Sequence, residues 1–85
     1  MKEFKYKIKD KLGIHARPAG LLVKCVKESG ASVTITKENN SVDASKLLAV
    51  MGMGIKFGNE VTVSIDGESQ DIALEKIKTF FEENL

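Results

Sequence analysis

The chain has no tryptophan, one histidine, one cysteine, one proline and five aromatic residues among its 85 positions. Each scarcity excludes something. Cys25 has no second cysteine to pair with, so no internal disulfide forms, which fits a reducing compartment. One histidine and one cysteine are too few for a zinc site of the usual kind, and no metal is expected. The formal net charge is only +1, so no large field exists to gather nucleic acid or anionic lipid. A nucleic-acid binder would need a basic face or stacking aromatics, and four of the five aromatics fall on apolar stripes. Apolar runs are a few residues long, far below the roughly 20 that span a bilayer. Met1-Lys2-Glu3-Phe4-Lys5 carries no apolar signal-peptide segment behind its charges. The expectation is a cytoplasmic protein without membrane insertion. No glycine loop with its lysine is present to hold a nucleotide. Gly52, Gly54 and Gly58 read as turn glycines, and no cofactor is expected.

What remains is ordinary for a globular chain. Hydrophobic residues are 42% and charged residues 29%, which argues against disorder. The length suits one domain, residues 1–85. A domain of this size buries only about 60% of its unfolded surface, so its core must be economical.

Periodicity predicts the elements. Phe4, Tyr6 and Ile8 alternate with Lys5, Lys7 and Lys9, the mark of a half-buried strand. Val33 and Ile35 repeat the pattern, and so do Val61, Val63 and Ile65. Asn39-Asn40 is a turn signal that would fold a short strand around Val42 back on the second strand. Ala19, Leu22, Val23 and Val26 follow helical spacing, and Ser29-Gly30 supplies a stop. Cys25 lies in this helix among Leu21, Leu22 and Val26 and reads as a packed side chain. Leu47, Leu48, Val50 and Met51 form a short apolar segment that Gly52 and Gly54 interrupt. Ala73, Leu74, Ile77, Phe80 and Phe81 form the last helical stripe, with Ser69 as N-cap and Asp71 in the first turn. The order is β-α-β-β-α-β-α. Each clear strand has one polar face, so the helices belong on one side only. The predicted fold is α+β, a two-layer open-faced sandwich with a mostly antiparallel sheet.

Chemistry concentrates at Leu12-Gly13-Ile14-His15-Ala16-Arg17-Pro18-Ala19, between the first strand and the first helix. Pro18 suits only the first turn of a helix, so the helix begins near Ala16 and His15 falls at its N-cap. A helix start exposes unpaired N–H groups and partial positive charge, and therefore holds anions. The amides of Ala16 and Arg17 lie at that start, and the Arg17 guanidinium adds a planar donor fork for phosphate. Imidazoles as a class titrate near about pH 6.5, so a neutral nucleophile is on hand without a neighbouring base. A hydrogen bond to a charged group is worth about 1.5–3 kcal/mol and a helix terminus about 0.3–1 kcal/mol. Such terms orient a phosphoryl group without trapping it. A lone histidine before a helix is more often a cap or a surface residue. Here histidine, arginine and a proline-marked helix start converge on one point.

The whole chain resembles the HPr family, the histidine-containing phosphocarriers of the bacterial phosphoenolpyruvate-dependent sugar phosphotransferase system. Gly13-Ile14-His15-Ala16-Arg17-Pro18-Ala19 is similar to the family's phosphorylation motif. Leu47-Leu48-Ala49-Val50-Met51 with Gly54-Ile55 and Gly58 is similar to its second helix and following turn. The resemblance implies a four-stranded antiparallel sheet in the order 1-4-2-3 with three helices on one face. It implies phosphorylation of His15 on Nδ1 by enzyme I, with Arg17 steadying the phosphate. The phosphate then passes to the IIA domains of sugar permeases. The implied protein is a carrier rather than an enzyme, and its working form is a monomer. The same family suggests an HPr kinase and transcriptional regulators as further partners. A purely regulatory HPr-like module is the alternative function.

One position departs from the family pattern. Lys46 occupies the place of the regulatory serine seen in many Gram-positive members, and Ser45 lies one residue before it. Ser45 is thus either a shifted acceptor for the HPr kinase or simply the N-cap of the second helix. A docking surface is expected from Leu47, Leu48 and Met51, on a helix too short to bury them all. Gly20 leaves room for an approaching surface, and Lys24 and Lys27 are placed to steer acidic partners. The alternatives are a core role for the apolar trio and plain solvation for the lysines.

Overall fold

The alternating apolar stripes fold into a sheet whose two faces differ in chemistry. A computed structural model describes residues 1–85. It contains β1 (Lys2–Lys7), α1 (Ala16–Ser29), β2 (Ser32–Lys37), β3 (Asn40–Asp43), α2 (Leu47–Gly52), β4 (Glu60–Asp66) and α3 (Gln70–Asn84). The sheet is antiparallel throughout, in the order β1-β4-β2-β3. The expected class and strand order are both observed.

Register shows why the helices cover one side. Phe4 pairs with Val63, Val63 with Ile35, and Ile35 with Val42, so one apolar row crosses all four strands. The neighbouring row is Lys5, Thr62, Thr36 and Ser41, which points the other way. In that row the Thr36 and Ser41 hydroxyls meet at 2.8 Å. Burying this polar face under helices would strand its hydroxyls and ammonium groups, so it stays open.

The helices supply the other half of the core. Ala19, Leu22, Val23 and Val26 of α1 are buried, as their spacing predicts, and Pro18 joins them. Ala73, Ile77 and Phe81 of α3 are buried, while Leu74 and Phe80 pack at the margin. Phe81 is the hub, with edge-to-face contacts to Phe4, Tyr6 and Phe80 at centroid distances of 5.6, 5.4 and 6.5 Å. Fully burying a ring of this kind stabilises by about 1.5–3 kcal/mol. Cys25 is half-buried beside this core. Burial first, and Glu28 second, raise its thiol pKa against an opposing effect of Lys76, so it is a poor thiolate.

Three local expectations need correction. The β2–β3 turn is Glu38-Asn39, one residue earlier than expected, because Lys37 already pairs with Asn40. Its positive φ of 56° falls on Glu38 rather than on an asparagine. Ser69 is the N-cap of α3, yet its side chain makes no capping hydrogen bond. Ser45 is not the N-cap of α2; Lys46 holds that position. The Ser45 hydroxyl and N–H instead donate to Asp43 Oδ1 at 2.7 and 2.8 Å. A serine two residues after an aspartate is captured by that carboxylate before it can reach the helix. The two bonds, the hydroxyl's foremost, hold the Asp43 carboxyl below the usual range, and Lys46 adds to the effect.

The strained Glu38 yields a test. Glu38→Gly should raise stability by about 0.5–1 kcal/mol, since glycine adopts positive φ without the Cβ penalty. Thermal denaturation followed by circular dichroism reads this directly. A lower melting temperature would show that the Glu38 side chain, rather than its backbone, matters to the turn.

Candidate functional site

The link from β1 to α1 is held from both sides. Ile8 N–H donates to the Asn59 carbonyl at 2.9 Å, and the Ile8 carbonyl accepts Gly58 N–H at 2.9 Å. Lys9 and Asp10 N–H groups both donate to the main-chain oxygen of Leu85, at 2.6 and 2.8 Å. Asp10 then closes a turn on itself: its Oδ1 accepts Leu12 N–H at 2.8 Å and its carbonyl accepts Gly13 N–H at 3.0 Å. Gly13 follows at φ 69°, and Ile14 N–H donates to the Ile55 carbonyl at 3.1 Å. The segment is therefore stapled to the end of α3 and to the loop before β4. His15 is delivered at the last step, with little freedom left in its backbone.

His15 is the N-cap of α1, as expected, with extended φ and ψ of −109° and −176°. Its carbonyl accepts Ala19 N–H at 2.9 Å, which starts the helix. The side chain makes no capping hydrogen bond. Pro18 explains part of this, since it occupies the third helical position, where a cap would find its donor, and has no N–H. The amides of Ala16 and Arg17 are left as the open donors of the helix start. The imidazole is thus half-exposed and uncommitted, with 39% of the side chain accessible.

An open cavity of about 250 Å³ lies at this point, lined by Asp10, His15, Arg17, Pro18, Leu21 and Asn84. His15 and Arg17 share its wall, as their adjacency predicts. Asp10 and Asn84 were not foreseen. Asp10 Oδ2 stands 3.9 Å from His15 Nε2, with 29% of the aspartate side chain accessible. Asn84 is brought in by the end of α3, where its amide donates to the Phe80 carbonyl at 3.0 Å. An aspartate three positions before a glycine signals a turn in the sequence. Its approach to the imidazole depends on how that turn closes, and Asn84 is 69 positions away.

None of the other expected site residues lines this cavity. Leu47, Leu48 and Met51 of α2 are 40%, 83% and 39% exposed, while Val50 beside them is buried and anchors the helix. α2 packs against α1 and β3. Gly20 sits on α1, and apart from its chain neighbours and the helix's own backbone no atom lies within 4 Å of where a Cβ would be, so that patch of the helix is open. Lys24 and Lys27 are exposed and form no ion pair. Ser45 lies in its own turn with Asp43. Phe57 and Leu12 are further exposed apolar residues that periodicity did not mark. No group of three or more histidine, cysteine, aspartate or glutamate side chains is gathered to hold a metal. No helix is long and apolar enough to cross a membrane.

Matches to known proteins cover nearly the whole chain. The family model described as the PTS HPr component phosphorylation site matches residues 2–83. The phosphocarrier protein HPr of Mycoplasma capricolum is 37% identical over 78 residues, covering 92% of this chain and 88% of that protein. A solved histidine-containing phosphocarrier protein from Mycoplasma superposes with a TM-score of 0.92 at 34% identity, covering 96% of this chain and 93% of the other. The Bacillus subtilis catabolite-repression protein Crh, solved as a domain-swapped, intertwined dimer, matches with a TM-score of 0.77 and 30% identity over 100% of this chain and 98% of its own. A match along nearly the whole length, joined to the same sheet order, leaves one family: the chain belongs to HPr, the phosphocarrier component of the phosphotransferase system.

Proposed function

We propose that this chain accepts a phosphoryl group on Nδ1 of His15 from phospho-enzyme I and passes it to IIA domains of sugar permeases in the cytoplasm. The observation that carries the proposal is an imidazole left uncommitted at a helix start. It is half-exposed, makes no capping bond, and shares a cavity wall with Arg17. The incoming dianion meets the open amides of Ala16 and Arg17, the dipole of α1, and the Arg17 guanidinium. These groups are solvent-exposed, so each attraction is screened by water and salt. Weak holding suits a carrier that must also release its cargo. The protein is then a substrate and donor in the relay, and carries no turnover chemistry of its own.

Leu47, Leu48 and Met51 form the contact surface of this proposal, flanked by Gly20, Lys24 and Lys27. A helix of six residues anchored by Val50 alone leaves the trio outside the core. Leu47→Glu should slow transfer from enzyme I about tenfold, with the melting temperature unchanged, because it puts a charge into a desolvated contact. A variant that unfolds instead would identify Leu47 as core.

Regulation through Ser45 meets an obstacle. Its hydroxyl already donates to the Asp43 carboxylate. A phosphate there would replace that hydrogen bond with like-charge repulsion, so an HPr kinase would have to open the turn. The likeness to Crh supports the second reading, a regulatory module that binds transcriptional regulators. One experiment separates the two. The chain is incubated with radiolabelled phosphoenolpyruvate and enzyme I, and then with a IIA domain. Acid-labile label on the chain that moves to IIA supports the carrier; a chain that stays unlabelled while enzyme I is charged overturns it.

A further inference from the structure

We propose that Asp10 is a positioning residue for the transfer: it selects the Nε2–H tautomer of His15 and so presents the Nδ1 lone pair to phosphorus. The inference rests on the phosphocarrier reading above. Its geometry is independent of that reading. Asp10 Oδ2 faces His15 Nε2 at 3.9 Å, and Nδ1 has no such partner. The carboxylate is held in place by its own turn, in which Oδ1 accepts Leu12 N–H at 2.8 Å and the backbone N–H of Asp10 is tied to Leu85. One oxygen is therefore spent on structure, and the other is left facing the ring.

A neutral imidazole has one donor nitrogen and one acceptor nitrogen, and the partner of one sets the state of the other. An ionised carboxylate only accepts, so the nitrogen it faces carries the proton. Nε2–H toward Asp10 leaves Nδ1 unprotonated. The contact at rest is an ion-pair distance rather than a hydrogen bond. Such contacts in unliganded proteins are commonly long and tighten in the reacting complex.

The step balances without any further reactant. The Nδ1 lone pair attacks the phosphorus of the donor's phosphohistidine. The new N–P bond forms as the donor's N–P bond breaks, and the donor nitrogen recovers its electron pair. The proton on Nε2 stays where it is. The His15 ring thus becomes a phosphorylated imidazolium, and its positive charge lies beside Asp10. On transfer to the next acceptor the ring returns to the neutral Nε2–H form, ready to repeat. The carboxylate and the phosphoryl group sit at different ring nitrogens, so the repulsion between them is exerted across the ring and through solvent.

The test is Asp10→Asn. Its Oδ1 keeps the acceptor for Leu12 N–H, while its amide turns a donor toward Nε2. Ring-nitrogen NMR on the unphosphorylated protein, at about pH 8.5 where imidazoles are neutral, reads the tautomer. The wild type should be mainly Nε2–H, and Asp10→Asn should shift the ratio toward Nδ1–H by about fivefold or more. Phosphorylation by phospho-enzyme I should fall about tenfold in kcat with KM unchanged, since no docking residue is touched. Asp10→Glu should restore much of both. A wild type dominated by Nδ1–H overturns the proposal. So does an unchanged ratio in the variant, whatever its rate, and so does a shifted ratio with an unchanged rate. If Asp10→Asn fails to fold, Asp10→Ser removes the charge while keeping an oxygen for the turn, and carries the same readouts. The tautomer measurement needs no phosphate, so its failure is distinct from a failure of the chain to take label from enzyme I.

Discussion

His15→Ala should reduce phosphate uptake from phosphoenolpyruvate and enzyme I by about a thousandfold or more, to the background of the assay. The chain has no second histidine, and its only cysteine is half-buried with a raised thiol pKa. No other side chain in the cavity is a nitrogen nucleophile: Arg17 offers a guanidinium, which only donates, and Asn84 an amide. The fold should survive the change. The imidazole is half-exposed, caps nothing and packs into no core position, so the stability change should stay within about 0.5 kcal/mol. Labelling and thermal denaturation on the same sample test both halves. Label retained by a folded His15→Ala protein would remove His15 from the mechanism. Loss of the fold would show that the ring is structural.

Gly13→Ala should do the reverse, harming the fold and the site together. Gly13 has φ 69°, and a Cβ there would collide with the Ile55 carbonyl oxygen and lie 2.7 Å from the Lys56 Cα. Both are backbone atoms, so no flexible side chain can yield. Left-handed backbone costs a residue with a Cβ about 1–2 kcal/mol. Forcing two backbone segments apart costs about 1–3 kcal/mol more. The sum, about 2–5 kcal/mol, is a large part of the roughly 4–13 kcal/mol expected for a chain of this size. A drop in melting temperature of about 10–30 °C follows. The Ile14 N–H···O Ile55 hydrogen bond of 3.1 Å is the first contact to break. It is also the last tie before His15, so any residual folded protein should transfer phosphate slowly. An unchanged melting temperature would mean that the two loops do not approach this closely.

These effects show where local pattern ends and packing begins. The alternation of Phe4, Tyr6, Val61, Val63 and Val33, Ile35 was legible because a strand sends successive side chains to opposite faces. Ala19, Leu22, Val23 and Val26 were legible for the parallel reason in a helix. The start of α1 was legible because proline tolerates so few positions. The misplaced β2–β3 turn has the opposite cause. Asparagine marks turns by preference only, and the pairing of Lys37 with Asn40 pushed positive φ onto Glu38 instead. Ser45 was misplaced because a nearer acceptor, Asp43, outcompeted the helix end. Both errors are competitions between neighbours whose energies differ by about 1 kcal/mol, too little for a composition rule to resolve.

The amino-acid sequence by itself determined the elements, the two chemically distinct faces of the sheet, and the placing of His15, Ala16, Arg17 and Pro18 at one helix start. Those properties depend on residues within a few positions of each other, where backbone geometry alone sets the neighbours. Only the tertiary structure decided that the ring is left free, that Asp10 faces Nε2, that Asn84 completes the cavity, and that Leu47, Leu48 and Met51 remain outside the core. The first three depend on how the β1–α1 link is pinned to Leu85 and Ile55, residues 40 or more positions away along the chain, and the last on how Val50 seats α2 against α1 and β3. Contacts across such separations arise when the whole core packs, and no periodicity in the sequence encodes them.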